Sequence, residues 1–328
     1  MFLFLWLLLH GMVAAAGTWL ARRYALRRQL LDQPGERRSH SVATPRGGGI
    51  AIVVMMLLSI GWLVAVWPNQ RILLGCLAAG LVLVAGTGWM DDHRPMSPWP
   101  RLVVHAVASV LLGWSIYRAT GSFFFSVQAF LTAMLLTNVW NFMDGIDGLA
   151  TSQAAIVALA LALVLGGAWM LLAMGLVAAA AGFLPFNFPK ARIFLGDVGS
   201  GALGFLLAGL LSIAMFHTPT VWPLLWLPLA AFLVDALFTL AMRILRREKW
   251  WAPHVQHTYQ QWASRDGGHV KVTLAYAAFS LVGLLLMQLG LVWAQAGAAW
   301  ICMGWYLAAM LLWARMRRDI YINKDARQ

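Results

Sequence analysis

Apolar runs of about 20 residues recur along almost the whole 328-residue chain, and that is the length a helix needs to cross ~30 Å of hydrocarbon. No other feature constrains the fold as strongly. With 61% of residues hydrophobic and 11% charged, the chain lacks the charged surface that a soluble protein of this size requires. Eleven spans are predicted, at 2–20, 48–67, 71–90, 102–117, 122–142, 148–166, 168–187, 200–216, 221–242, 272–289 and 292–314. The expected fold class is therefore an all-α integral membrane protein of about eleven transmembrane helices. It forms a single polytopic domain over 1–328, with no soluble domain appended. The first run has no positive leading segment and no small-residue cleavage site, so it reads as a retained helix rather than a signal peptide. Cys76 and Cys302 lie inside apolar runs and read as packing residues.

Charge sets the orientation. Segments 21–47, 91–101, 188–199, 243–271 and 315–328 hold 22 of the 24 basic residues, leaving only Arg71 and Arg118 on the other face. The positive-inside rule makes the basic face cytoplasmic, with the N-terminus periplasmic and the C-terminus cytoplasmic. The net charge of +12 follows from this rule and from anionic headgroups and phosphates. Nucleic-acid binding is not expected, because no basic segment has a soluble module around it. Eleven of the twelve acidic residues also fall on the cytoplasmic side or its helix ends, so the chemistry is concentrated on one face. There is no convincing internal repeat or matching pair of interrupted helices, which argues against a secondary transporter built from inverted repeats. The longer basic segment, 243–271, mixes bases with Trp250 and Trp251 and suits an amphipathic element at headgroup level.

Several clusters on that face can carry chemistry. Asp91 and Asp92 end the third span, where two adjacent carboxylates repel unless cations or hydrogen-bond donors compensate. Asn138, Asn141 and Asp144, spaced by three, share a face at the end of the fifth span. Gly145 and Gly148 then let Asp147 turn back towards them. Amide oxygens and carboxylates together suit a hard Mg²⁺ ion, although Asn/Asp/Gly turn propensity alone would give a similar string. Asp197 stands among glycines before the eighth span, where backbone N–H groups can approach a phosphate and the carboxylate can hold a metal. Helix capping is the plainer alternative there. Lys190 and Arg192 add positive charge nearby.

Arg37, Arg38, Ser39 and His40 precede Arg46 and a triple glycine, a stretch in which the backbone can approach a phosphate closely. His254 and His257, with Tyr259 and Gln260, can hydrogen-bond an anion. They lack the third ligand that zinc would need. His10, His105 and His217 read as local hydrogen-bonding residues, and His93 and His269 as loop residues without a clear partner. Asp235, within the ninth span, is expected to pair with basic groups such as Arg243 or to support a metal from behind its ligands.

Taken in order along the chain, these motifs resemble those of the polyprenyl-phosphate N-acetylhexosamine-1-phosphate transferases (glycosyltransferase family 4 type). The resemblance runs from Asp32 to about Gln260. It rests on Arg37 to Gly49, Asp91-Asp92, Asn138-x-x-Asn141-x-x-Asp144-Gly145-x-Asp147-Gly148, Gly196-Asp197-x-Gly199-Ser200 and the histidine motif. The stretch Pro253-His254-Val255-Gln256-His257 is neither three consecutive histidines nor His-x-His-His. It is similar to the branch that initiates O-antigen with UDP-N-acetylfucosamine-type sugars, and it departs from the peptidoglycan branch.

The resemblance implies transfer of a HexNAc-1-phosphate of FucNAc, QuiNAc or GlcNAc type from a UDP-sugar to undecaprenyl phosphate in the bacterial inner membrane. UMP would be released, and O-antigen or related lipopolysaccharide synthesis would begin. A GlcNAc-1-phosphate transferase serving several polymers is the alternative. Mg²⁺ is the implied cofactor, with Mn²⁺ as a substitute, and Asp197, Asp144 and Asn141 are the expected metal site. Asp91, Asp92, Asp147, His254 and His257 are the expected catalytic set. Arg38, Arg46, Asn138, Lys190, Arg192, Tyr259 and Gln260 are expected to bind substrate. The partners implied are undecaprenyl phosphate, a UDP-N-acetylhexosamine and the bilayer, with a homodimer as a candidate assembly. A phosphate monoester is mostly dianionic near neutrality, its second pKa being ~6. Direct displacement is therefore expected, with Asp91 orienting the acceptor rather than forming a covalent intermediate.

Overall fold

The computed structural model describes residues 1–33, 42–252, 254–293 and 295–325. Each predicted span corresponds to a helix. In chain order these are α1 (Phe2–Arg27), α2 (Ile50–Val66), α3 (Arg71–His93), α4 (Pro98–Thr120), α5 (Phe123–Phe142), α6 (Leu149–Ala162), α7 (Gly167–Asn187), α8 (Asp197–His217), α9 (Ala230–Leu245), the short α10 (Thr258–Trp262), α11 (Gly268–Trp293) and α12 (Ala298–Asp325). Leu31–Asp32 pairs antiparallel with Thr44–Pro45 to fasten the segment between α1 and α2.

Among the described residues nine helices are long and apolar enough to cross a membrane; α2 and α6 are shorter. α6 has 14 residues, about 21 Å at 1.5 Å per residue, whereas the apolar run there suggested a full span. Its start is fixed by Gly148 in the left-handed region at φ 72°, and its apolar side chains pack between α7 and α11. The ninth span begins as a tight 3₁₀ segment, Trp222–Leu229, and becomes α-helical only at α9. Pro223 and Pro228 remove two backbone donors there, and a proline in a helix interior is incompatible with regular i→i−4 bonding.

α8 is the axis of the bundle. Every residue from Val198 to Met215 is buried, and the helix packs on α3, α5 and α6. Backbones meet at two points near its first turn. A Cβ at Gly88 of α3 would collide with the Asp197 carbonyl, and one at Gly49 would collide with the Gly199 backbone. Small residues that allow backbones to touch are how helices associate without a hydrophobic driving force. The outer helices leave apolar faces exposed, among them Leu3, Phe4 and Leu8 on α1 and Trp300, Leu307 and Leu311 on α12.

Candidate active site

Antiparallel packing brings four helix ends together: the C-termini of α3 and α5, and the N-termini of α4 and α8. Asp91, Asp92, Arg101, Asn141 and Asp197 meet there, and the turn after α5 adds Asp144 and Asp147.

The two adjacent aspartates have different surroundings. Asp92 is buried, and its carboxylate accepts the Asp197 and Val198 backbone N–H groups, both at 3.1 Å. It therefore caps α8 from another helix, supplying negative charge where the helix dipole favours it. Arg46 answers that charge. It lies 4.0 Å from the Asp92 carboxylate and donates to the Asp92 backbone carbonyl. Asp91 points the other way, accepting the Met96 N–H at 2.6 Å and Arg101 at 2.9 Å. Arg101 also bonds Asp197 at 3.0 Å, so one guanidinium spans two carboxylates from different helices.

These contacts correct three expectations. The first N–H groups of α8 hold Asp92, not a phosphate. The triple glycine approaches protein backbone, not a ligand: Gly48 and Gly49 donate to the Phe194 and Leu195 carbonyls at 2.9 and 2.8 Å. Arg46 is committed to the end of α3. Arg37, Arg38, Ser39 and His40 lie outside the described residues.

Asn141 donates to both Asp197 and Ser200, locking the two helix ends together. Asn138 donates to the Met134 carbonyl and lies beside the buried His105, whose neighbours also include Arg101 and Asp197. His105 thus belongs to the site's wall rather than to a remote part of the bundle. Asp147 is a bracket: it accepts the Ala191 N–H at 3.0 Å and pairs with His269 at 3.1 Å. His269, expected to lack a partner, fastens α11 to the acidic turn, and Thr273 reinforces it by donating to the Asp147 carbonyl.

Asp144 is the exception. Half-buried, it accepts no hydrogen bond and makes no ion pair among the described residues. Burial, reinforced by repulsion from Asp197, Asp92 and Asp147, pushes its carboxyl well above the usual range.

Over this acidic turn sits the segment carrying the histidines. His257 is buried and stacks between the rings of Phe142 and Tyr259, with His254 4.9 Å away. Burial lowers both imidazoles. His254 falls to about 3 because the neighbouring His257, Arg243 and Arg317 add to the burial effect. They are neutral near pH 7 and offer N–H groups or lone pairs rather than charge. Tyr259 is fully buried and donates its hydroxyl to the Phe142 carbonyl. It has no donor left for an anion and positions the segment instead. Gln260 lies against Gly145 with its amide oxygen buried and unbonded among the described residues.

Lys190 and Arg192 are both exposed. Arg192 lies over the Phe186 ring and donates to the Pro185 carbonyl, which turns it from the acidic cluster. Asp235 does not pair with Arg243. It holds the start of α10, while Arg243 bonds the Lys249 carbonyl and lies 3.6 Å from Glu248. The sequence reading missed Arg101, although it was one of only two bases in a segment containing two aspartates. It also missed Trp313 and Arg317 of α12, for which nothing local gave a signal.

Among the described residues no three His, Cys, Asp or Glu side chains converge tightly enough to hold an ion unaided. The donor set nevertheless fits Mg²⁺. That ion is commonly bound by one or two carboxylates, with water and substrate phosphates completing the shell, and Asp144 has no donor among the described residues while Asp197, Asp92 and Asp147 lie close enough to raise its carboxyl.

Fold and site together define an integral membrane protein with a carboxylate-rich cluster at one end of a helical bundle. Residues 73–215, which hold Asp91, Asp92, Asp144, Asp147 and Asp197, match the profile of Glycosyl transferase family 4. The decaprenyl-phosphate N-acetylglucosaminephosphotransferase of Mycolicibacterium smegmatis is 31% identical over 290 residues, covering 74% of this chain and 71% of the relative. A probable undecaprenyl-phosphate N-acetylglucosaminyl 1-phosphate transferase of Bacillus subtilis is 28% identical over 267 residues, covering 74% and 72%. The phospho-N-acetylmuramoyl-pentapeptide-transferase of Limosilactobacillus fermentum is 28% identical over 242 residues, covering 67% and 74%. The chain belongs to this family, the polyprenyl-phosphate N-acetylhexosamine-1-phosphate transferases.

Proposed function

We propose that the protein joins a HexNAc-1-phosphate from a UDP-sugar to undecaprenyl phosphate at the cytoplasmic face of a bacterial inner membrane, starting an O-antigen or related surface polysaccharide. A lipid phosphate oxygen forms a bond to the β-phosphorus, and the bond from that phosphorus to the oxygen of UMP breaks. Both reactants are anionic, so the residues must position them and offset charge. The observation that carries this reading is Asp144, a half-buried carboxylate with no donor among the described residues, close enough to Asp197, Asp92 and Asp147 to feel their charge while those three are already hydrogen-bonded. Asp197 and Asp144, with Asn141 beside them, would hold Mg²⁺. Bound there, the ion would supply positive charge against the diphosphate and the leaving UMP. Asp91, held by Arg101 and the Met96 N–H, orients the acceptor phosphate and takes any residual proton. Neutral His254 and His257 donate hydrogen bonds from the opposite wall.

Two sugars are in competition. The histidine motif favours a FucNAc- or QuiNAc-type donor, whereas the relatives from Bacillus and Mycolicibacterium are named for N-acetylglucosamine and favour GlcNAc. Purified protein with undecaprenyl phosphate, Mg²⁺ and a panel of UDP-sugars should release UMP with one of these donors and with no other class. Release without the lipid phosphate would overturn direct transfer. Orientation has its own test: a cysteine replacing Asn69 should react with an impermeant thiol reagent in intact cells, and one replacing Ser264 only after the membrane is opened.

A further inference from the structure

We propose that Asp235 is a positioning residue for the transfer, setting the place of the histidine segment against the acidic turn; this rests on the reading above. Its carboxylate is buried, 1% exposed, and gathers five donors from four helices. The Thr258 and Tyr259 backbone N–H groups donate at 2.8 and 3.0 Å, the Tyr276 hydroxyl at 2.8 Å, the Trp313 indole at 3.2 Å and Thr239 at 3.3 Å. A buried carboxylate is costly unless its oxygens are satisfied, and here the satisfying groups are the ones that must be fixed.

The need is local. α10 has only five residues, and its N-cap, His257, makes no side-chain capping bond. A single turn of helix is not stable alone, and its first N–H groups need acceptors. Asp235 supplies both from α9. What is fixed by this reaches the site directly: His257 at the N-cap is stacked on Phe142, and Tyr259, two residues on, is bonded to the Phe142 carbonyl. A displacement of ~1 Å in a catalytic group can cost about 100-fold in rate.

Two variants test this. Asp235→Asn removes charge and one acceptor. Thr258→Pro breaks the same contact from the other side, removing the N–H and setting the ring Cδ against the Asp235 carboxylate, while the chain itself accommodates proline there: Thr258 is the first helical residue, where proline is tolerated, and His257 already has the extended conformation (φ −62°, ψ 144°) that a following proline requires. Each variant should lower kcat for UMP release by roughly 100-fold and leave the KM for UDP-sugar nearly unchanged. In a His257→Asn background each should add less than about twofold, because residues acting through one another are not additive. Amide hydrogen exchange in 259–262 should quicken, with no change in α8. Full multiplicative losses in the His257→Asn background, or unchanged exchange in 259–262, would overturn the proposal. Should the wild-type protein transfer no sugar phosphate at all, the functional reading falls, while the exchange measurement still decides whether Asp235 holds α10.

Discussion

The two sides of the site, the acidic wall and the histidine wall, are built on opposite plans. The acidic wall stands on α3, α5 and α8, where backbones touch at Gly49 and Gly88 and Asp92 ties the start of α8 to the end of α3. Its geometry is set by elements that cannot shift independently. The histidine wall is a segment with one turn of helix, held by side chains from α9, α11 and α12. The comparison teaches that the acidic side chains and their supports occupy rigid contacts, whereas the histidine segment is held by a few directed hydrogen bonds. Losses on the first wall should therefore be chemical or global, and losses on the second graded and local.

The sharpest break is Asp197→Asn. Release of UMP should fall by about 10³-fold or more, the scale of losing a preorganised electrostatic group. The melting temperature should fall only moderately, by what the Arg101 and Asn141 bonds to Asp197 contribute, because the bonds from the α8 N–H groups to Asp92 survive. A variant with more than a tenth of wild-type turnover would remove Asp197 from the centre of the site.

Next comes the contrast between neighbours. Asp92→Asn should destabilise by about 1.5–3 kcal/mol, since a charged acceptor of two buried N–H groups is weakened, and activity should fall with the folded fraction. Asp91→Asn should cost less stability, since one oxygen remains for the Met96 N–H and Arg101 keeps Asp197 as a partner, and it should lower kcat, with partial recovery as pH rises through the acceptor's second pKa of ~6. Equal stability losses for the two would erase the distinction drawn between them.

A smaller effect tests the Mg²⁺ assignment. Asp144 holds its proton well above the usual carboxylate range, and only the ionised form binds a cation. The Mg²⁺ concentration for half-maximal activity should therefore fall as pH rises, by at most about tenfold per unit, and Asp144→Asn should flatten the curve. The smallest effect concerns the histidine wall. His254 in the folded protein protonates only near pH 3, whereas in the unfolded chain it does so near 6.5. The unfolded state then binds more protons between those values, so stability falls as pH drops from 6.5 towards 3. In melting curves at pH 7.5 and 5, His254→Gln should lose part of that difference.

Much of the fold was legible because hydrocarbon thickness imposes one length on every span. The errors fell where packing inside protein replaced lipid, at α6, and where prolines forced a tighter coil before α9. In the site, spacing by three put Asn138 and Asn141 on one face of α5, since helix periodicity is local information, but Asp144 falls in the turn beyond the end of the helix. What spacing could not give was which partner each charge would meet. Arg101 reaching Asp91 and Asp197, Asp92 capping a helix 105 residues away, and Asp235 gathering donors from α10 to α12 all depend on long-range packing. The glycines at 47–49 are the clearest case: the sequence marks a close approach without saying what approaches.

α12 packs little of its surface against the rest of the protein, only 6% of its apolar window being buried. Yet Trp313 bonds Asp235, and Arg317 reaches Thr239 and the Gln256 carbonyl. During synthesis this helix leaves the ribosome after every other part of the site. The acidic wall can assemble as α8 enters the bilayer, while the opposite wall stays loose until α12 has been inserted and docked. Completion of the site is thereby coupled to completion of membrane insertion, so a partly inserted chain has the carboxylates in place without the means to use them.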